Sequence, residues 1–287
     1  MVGTSVEQLR TYCIRELRKC NITETPELES RLLIEKATSL TQVEQILHSD
    51  RLLDGQEILT LKSLLSQRLQ ARPMAYILGT KEFYGRSFFV DERVLIPRPD
   101  TETLVEVALS HARNRGGKLS IIDVCTGSGC IGITLACELG YDVHLSDISL
   151  DALEVAKSNA VQLVGHELPT SRGNLLSTHC SNYDIIVSNP PYLTREWCKA
   201  VTDDVKREPL LALEGFGSDG LCIIRALVEQ STSRLQDGGA LMMECDYRQV
   251  DAVKKIMLSS GFGMVKSEFD LTGRERVVWG IHNCTNN

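Results

Sequence analysis

The sequence lacks several features that would assign it to a specialised class of protein. No apolar run reaches the roughly 18 residues that a transmembrane helix needs. Charged residues appear early, at Glu7 and Arg10, and no apolar signal-peptide segment follows them. The ten cysteines contain no Cys-x-x-Cys pair, which argues against a zinc site or a thioredoxin-like motif. We therefore expect no metal and no membrane association.

A basic excess is also missing. The chain has 31 Lys and Arg against 38 Asp and Glu, a net charge of −7, which argues against a protein that binds nucleic-acid backbone. We expect no direct contact with DNA. The apolar surroundings of Cys130, Cys137 and Cys222 predict buried free thiols and hence a reducing compartment. The expected location is the cytoplasm.

Residues 1–73 are predicted to form a small helical bundle. Apolar residues recur at helical spacing from Val6 to Leu17, and Thr25-Pro26 is typical of a helix start. This segment is either a structural cap or a docking surface for a protein partner. Residues 74–97 hold most of a β-hairpin, with Gly85 near its turn, and link the bundle to a third region, 98–287.

Strands and helices alternate in the third region. Asp100 or Thr101 is expected to cap its first helix. The predicted strands are residues 119–124, 142–146, 185–188, 240–244, 264–268 and 276–281. The predicted helices between them are residues 131–139, 150–164, 221–235 and 250–259. This order predicts an α/β fold with a mainly parallel sheet, and the short link before the last strand predicts antiparallel pairing there.

A glycine-rich segment closes the first strand of that sheet and opens a helix. Its residues are Cys125, Thr126, Gly127, Ser128 and Gly129. Exposed N–H groups at the helix start suit a bound cofactor. Gly127, Gly129 and Gly132 also fit the dinucleotide pattern G-x-G-x-x-G, so an NAD-binding domain remains an alternative.

Asp147 ends the second strand about twenty residues beyond the glycine-rich segment. A carboxylate there can accept hydrogen bonds from both ribose hydroxyls, which serves NAD and S-adenosylmethionine equally. The competing role for Asp147 is a helix cap, for which Ser149 is the other candidate.

The tetrapeptide Asn189-Pro190-Pro191-Tyr192 directly follows an apolar strand. Two prolines cannot continue a central strand, because neither supplies a backbone N–H. A polar amide, a fixed carbonyl and an aromatic ring are therefore held at the carboxyl end of a strand, where open α/β sheets bind ligands. The tetrapeptide could be an ordinary turn, but beside the cofactor segment it favours a methyltransferase acting on an sp2 nitrogen over an NAD enzyme.

With these motifs in place, the chain resembles the protein-(glutamine-N5) methyltransferases that modify class I peptide-chain release factors. The resemblance is carried by Arg72-Pro73 through Gly79, Glu82-Phe83-Tyr84-Gly85, the block from Leu95 to Glu102, Asp123 to Gly129, Asn189 to Tyr192, Glu208-Pro209, Asp219-Gly220-Leu221 and Gly273-Arg274-Glu275-Arg276. It implies a Rossmann-like class I methyltransferase sheet preceded by a helical substrate-docking domain. The implied partner is a class I release factor, and we expect a monomer.

The resemblance also assigns site residues. It places S-adenosylmethionine on Cys125 to Gly129, on Asp147, and on Asn174-Leu175, where the family often has an acidic and an aromatic residue. Asn189 lies between cofactor and substrate. Cys125 replaces a usual glycine and Glu275 a usual aspartate.

The same tetrapeptide predicts the catalytic arrangement. The Asn189 side-chain oxygen and the Pro190 carbonyl accept the two hydrogens of the substrate amide, while Tyr192 packs against the amide plane and Pro191 stiffens the corner. An adenine-N6 methyltransferase of nucleic acids is the main alternative, and it would need base flipping into the same pocket. A binding module without activity is a third.

Overall fold

The computed structural model describes residues 3–283, which fall into two compact units. One unit runs to Thr80 and also includes Thr202–Arg207; the other comprises Lys81–Val201 and the residues from Glu208 onward. None of the helices within residues 3–283 has the length and apolar character needed to cross a lipid bilayer. Nine cysteines are described and all are free, while Cys284 lies outside the described residues.

The first unit is helical, as the sequence predicts. Its helices are α1 (Val6–Cys20), α2 (Pro26–Thr38), α3 (Gln42–Leu47), α4 (Gly55–Leu69) and α5 (Met74–Leu78). Leu17, Leu33 and Leu61 are almost fully buried in their common core. Helix α2 begins at Pro26, as predicted. The short helix α3 is not expected from apolar spacing, and it starts with a reciprocal hydrogen-bond pair between Thr41 and Glu44.

The second unit contains every strand apart from the first residue of β1. Its strands are β1 (Thr80–Phe83), β2 (Arg86–Phe89), β3 (Ile121–Val124), β4 (His144–Asp147), β5 (Thr170–Arg172), β6 (Tyr183–Ser188), β7 (Leu235–Glu244), β8 (Phe262–Phe269) and β9 (Glu275–His282). Its helices are α6 (Glu102–Arg115), α7 (Cys130–Leu139), α8 (Leu150–Val164), α9 (Arg195–Ala200), α10 (Cys222–Thr232) and α11 (Val250–Ser259). The hairpin β1–β2 turns at Tyr84-Gly85, as expected.

Seven strands form one sheet in the order β5-β4-β3-β6-β7-β9-β8. The first five are parallel, and β9 pairs antiparallel with both β7 and β8, which confirms the predicted mixed sheet. The edge strand β5 is not predicted, because three partly exposed residues give too short a pattern. The predicted helix end at Leu235 is wrong: α10 stops at Thr232, and Leu235 already pairs with Tyr183 in the sheet.

Two apolar layers cover the two faces of the sheet, because successive residues of a strand point to opposite faces. Ile121 and Val187 belong to one layer, whereas Ile122 and Ile186 belong to the other. Burial on both faces leaves the carboxyl edge of the parallel strands as the place where polar groups can meet. The expected burial of Cys222 is wrong, since its side chain is exposed on α10.

Candidate active site

A cavity of about 410 Å³ opens at the carboxyl ends of β3, β4 and β6. The predicted site residues that line it are Cys125, Thr126, Gly127, Ser128, Asp147, Asn174, Leu175, Asn189 and Pro191. The predicted site residues Gly129, Pro190 and Tyr192 are not among its lining residues. The two halves of the predicted site, 125–129 and 189–192, thus meet around one cavity.

The glycine-rich segment bends sharply between β3 and α7. Gly127 has φ +54°, a left-handed conformation that favours glycine, and a Cβ added there would lie in open space. Gly129 has φ +82°, and a Cβ there would meet the Ile133 side chain at 2.5 Å. Gly129 therefore serves the bend itself. Cys125 adopts φ +60°, a conformation in which glycine is favoured.

Asp123 holds this segment in place through hydrogen bonds, a role that the sequence did not reveal. Its Oδ2 accepts hydrogen bonds from Thr126 Oγ1 at 2.6 Å and from the Gly132 N–H at 2.9 Å. Its Oδ1 is buried without a partner among the described residues. Burial raises the pKa of Asp123 to about 7. The available sequence signal for this role was the position of Asp123, two residues before the glycine-rich segment.

Asp147 lies at the end of β4 and lines the cavity. Its Oδ2 accepts from the Gly127 N–H at 2.9 Å, and its Oδ1 accepts from the Ser149 N–H at 2.9 Å. The side chain that caps α8 belongs to Ser149, whose Oγ accepts from the Ala152 N–H. Burial raises the pKa of Asp147. With the cap assigned to Ser149, the Asp147 carboxylate faces the cavity and can accept further hydrogen bonds.

Asn174 and Leu175 line the cavity after β5. Asn174 is exposed, whereas Leu175 is buried at φ +56°. Ile148 adds a second apolar side chain to the same wall. This part of the cavity offers a flat ligand aliphatic contacts rather than an aromatic ring.

The corner at residues 189–192 is held by a buried hydrogen-bonded chain. Asn189 Nδ2 donates to Thr101 Oγ1 at 3.2 Å, and Thr101 Oγ1 donates to Glu244 Oε2 at 2.6 Å. The Tyr192 hydroxyl donates to Glu244 Oε1 at 3.0 Å. Burial raises the pKa of the Glu244 carboxyl and that of the Tyr192 hydroxyl. Thr101 and Glu244 are functional candidates that the sequence did not reveal.

The expected capping role at the start of α6 is wrong. Thr101 occupies the N-cap position, but its side chain makes no capping hydrogen bond. Its hydroxyl is used by Glu244, and the Asp100 carboxylate forms an ion pair with Arg276 at 3.2 Å. Both polar side chains point to tertiary partners, which a local capping rule cannot foresee.

Two further contacts fix the corner from the loops around it. Gln249 Nε2 donates to the carbonyl oxygens of Tyr192 and Asp219, both at 2.8 Å. Gly215 packs so closely that an added Cβ would lie 2.7 Å from the Pro191 oxygen and 1.9 Å from the Gly220 oxygen. The corner is thus enclosed by segments that lie far along the chain.

The rim of the cavity combines one ion pair with exposed apolar side chains. Arg98 lines the cavity and donates to the buried Glu208 carboxylate at 2.5 Å. Leu211 and Phe216 also line it and are about half exposed. Within residues 3–283, no cluster of three or more histidine, cysteine, aspartate or glutamate side chains could hold a metal ion.

Comparisons with known proteins find relatives for both parts of the chain. A family model described as the PrmC N-terminal domain matches residues 8–79, and one described as the methyltransferase small domain matches residues 100–208. A methyltransferase structure from Pyrococcus furiosus is 15% identical with a TM-score of 0.53, covering 71% of this chain and 92% of its own. This likeness concerns the fold alone, a class I methyltransferase sheet.

Two curated relatives cover most of the chain. The release factor glutamine methyltransferase of Neisseria gonorrhoeae is 37% identical over 90% of this chain and 94% of its own length. The bifunctional methyltransferase of Rickettsia felis is 34% identical over 96% of this chain, which spans only 57% of that longer protein. The chain belongs to the release factor glutamine methyltransferase family.

Proposed function

We propose that this chain transfers a methyl group from S-adenosylmethionine to the side-chain amide nitrogen, N5, of the glutamine in the Gly-Gly-Gln motif of class I release factors. The observation that carries this proposal is the placement of Asn189 on the cavity wall beside the glycine-rich segment and Asp147. The relatives' names support the choice of substrate. Nucleic-acid adenine has no comparable support.

The residues around the cavity fit S-adenosylmethionine by their chemistry. The Asp147 carboxylate can accept hydrogen bonds from ribose hydroxyls, and the segment 125–129 leads into the start of α7, where no side chain caps the helix. Leu175 and Ile148 give an apolar wall for the adenine. When bound, S-adenosylmethionine supplies an electrophilic methyl group on a sulfonium.

Asn189 and Pro190 would hold the substrate amide. An amide nitrogen is a poor nucleophile, because its lone pair is delocalised into the carbonyl. Two fixed acceptors, the Asn189 oxygen and the Pro190 carbonyl, would bind its two hydrogens and stabilise the positive charge that develops on nitrogen. A carboxylate has no hydrogens to offer and would leave both acceptors unpaired, so glutamate is rejected.

The site needs no strong base. Among the described residues that line the cavity there is neither histidine nor lysine. Once nitrogen carries the additional carbon, it is cationic and acidic, so its proton can pass to water. Catalysis would come from positioning and from the exclusion of water.

The direct test uses radiolabelled S-adenosylmethionine with three substrates: a class I release factor, the same factor with glutamate in place of the motif glutamine, and adenine-containing DNA. We expect label on the first alone, located on the motif glutamine by peptide mass spectrometry. Label on DNA, or equal labelling of the two factors, would overturn the proposal.

We further propose that the helical first unit docks the release factor. Its helix α3 exposes Val43, Ile46 and Leu47, each more than half accessible to solvent. Leu47→Ser should raise KM for the release factor and leave kcat unchanged, and an unaltered KM would contradict this role.

The free thiols support a reducing, cytoplasmic location, and light scattering should report a monomer.

A further inference from the structure

Glu244 is the least explained group near the cavity. It ends β7, is only 1% exposed, and lines no part of the cavity itself. A buried carboxylate is costly unless every contact is favourable, so such a group is rarely incidental. Its two oxygens accept hydrogen bonds from Thr101 and from Tyr192. One carboxylate therefore connects to both ends of the corner 189–192.

The direction of these hydrogen bonds fixes the orientation of the Asn189 amide. An ionised carboxylate only accepts, so the single hydrogen of the Thr101 hydroxyl must point to Glu244. The Thr101 oxygen can then only accept from Asn189, and only the NH2 group of that amide can meet it. The Asn189 oxygen is consequently turned away from Thr101 and left for a ligand.

We propose that Glu244 is a positioning residue that, through Thr101, keeps the Asn189 oxygen directed at the substrate amide. This inference rests on the proposed function, since it explains how the site comes to prefer an NH2 group. With the opposite orientation, Asn189 would present its own NH2 to the substrate NH2, and two donors would face each other. The chain Glu244–Thr101–Asn189 thus selects a primary amide before any substrate arrives.

The groups around Glu244 act on its ionised form in opposite directions. Arg276 interacts favourably with the carboxylate, while Asp100 interacts unfavourably. Arg276 is itself held by Asp100 at 3.2 Å and by Asp270 at 3.3 Å. Burial raises the pKa of Glu244, and the hydrogen bonds from Thr101 and Tyr192 oppose this rise. Protonation would supply a new donor toward Thr101 and release the hydroxyl hydrogen to Asn189, so activity should fall on the acid side.

The most direct test compares Thr101→Val with Thr101→Ser. Valine matches threonine in shape but has no hydroxyl, so the Asn189 NH2 group loses its hydrogen-bond acceptor. Serine restores the hydroxyl. We expect kcat of Thr101→Val to fall by roughly 10- to 100-fold while S-adenosylmethionine affinity is retained, and Thr101→Ser to recover most of that loss. The matched control is Thr134→Val in α7, whose buried hydroxyl has no hydrogen-bond partner among the described residues.

A second test follows the Asn189 amide without any turnover. In protein labelled with 15N-asparagine, the Asn189 NH2 signals are assigned by their loss in Asn189→Ala. Thr101→Val and Glu244→Gln should both shift these signals, whereas Thr101→Ser and Thr134→Val should leave them close to their wild-type positions. Glu244→Gln should also remove the fall in kcat on the acid side, because glutamine does not titrate, an effect that a merely structural contact would not produce.

The outcomes separate this inference from the proposed function. If Thr101→Val turns over as fast as Thr101→Ser, or its Asn189 signals do not move, the positioning role is wrong even in an active enzyme. If the NH2 signals respond as expected but wild-type protein labels no release factor, the proposed function fails while the orientation of Asn189 stands.

Discussion

The two sides of the cavity are built in different ways. On the cofactor side, Asp123 and Asp147 accept hydrogen bonds from backbone N–H groups and from the Thr126 hydroxyl, all within 20 residues of them along the chain. On the substrate side, Asn189 contacts Thr101 across 88 residues, and Thr101 contacts Glu244 across 143. The proposed cofactor site is thus held by short-range hydrogen bonds, whereas the proposed substrate site is held by side chains from distant segments of the chain.

The strongest way to test this contrast is to remove Asn189. Asn189→Ala deletes an acceptor that acts on the developing charge, so kcat should fall by roughly 100- to 1,000-fold. The cofactor side is untouched, and calorimetric titration should give a wild-type Kd for S-adenosylmethionine. The exposed Asn114→Ala in α6 is the control and should behave as wild type. Rapid methylation by Asn189→Ala would contradict the role of Asn189 on the substrate side of the cavity.

The converse change is Asp147→Ala. It removes an acceptor of ribose hydroxyls and leaves the Gly127 N–H unpaired, so S-adenosylmethionine should bind about 10- to 100-fold more weakly. At saturating cofactor, kcat should be nearly restored, because the substrate side is intact. Asp151→Ala, an exposed carboxylate in the first turn of α8, should keep the wild-type Kd. An unchanged Kd for Asp147→Ala would remove this residue from the cofactor site.

A pH experiment tests the protonation of Asp123, which supports the glycine-rich segment through hydrogen bonds. The folded-state pKa of Asp123 is raised to about 7 by burial, above the ordinary value of 3.8. Its protonation thus favours the folded state fully below pH 3.8, and this contribution is lost as pH rises through about 7. The free energy of unfolding of the wild type, measured in urea at pH 5 and pH 8, should fall with pH relative to that of Asp123→Asn. Parallel profiles would contradict the raised pKa.

The smallest expected effect concerns Cys125, a non-glycine residue at φ +60°. Cys125→Gly relieves backbone strain, while Cys125→Ala keeps it, so the glycine variant should be more stable than the alanine variant by about 1 kcal/mol. Both should bind S-adenosylmethionine, since neither change alters Asp147 or the start of α7. A more stable alanine variant would show that the left-handed conformation is not strained here.

The same contrast explains what could be predicted from the sequence. The alternation of strands and helices, the mixed sheet and the meeting of 125–129 with 189–192 follow from periodicity and from the geometry of parallel sheets. The sequence does not predict the roles of Thr101, Glu244 and Gln249. A lone threonine before a helix, for example, fits a capping role equally well. Only the tertiary fold decides which partner its hydroxyl meets. Short elements such as β5 and α3 also escape, since few residues give no clear period.

Gly215 has a consequence for how this enzyme can vary. It is not among the residues that line the cavity, yet only a hydrogen atom fits between its α-carbon and the carbonyl oxygens of Pro191 and Gly220. Even a methyl group there would displace the diproline bend and so change the orientation of the Asn189 side-chain amide. In a random mutant library, this position should tolerate no replacement, while the exposed Leu210 should accept many.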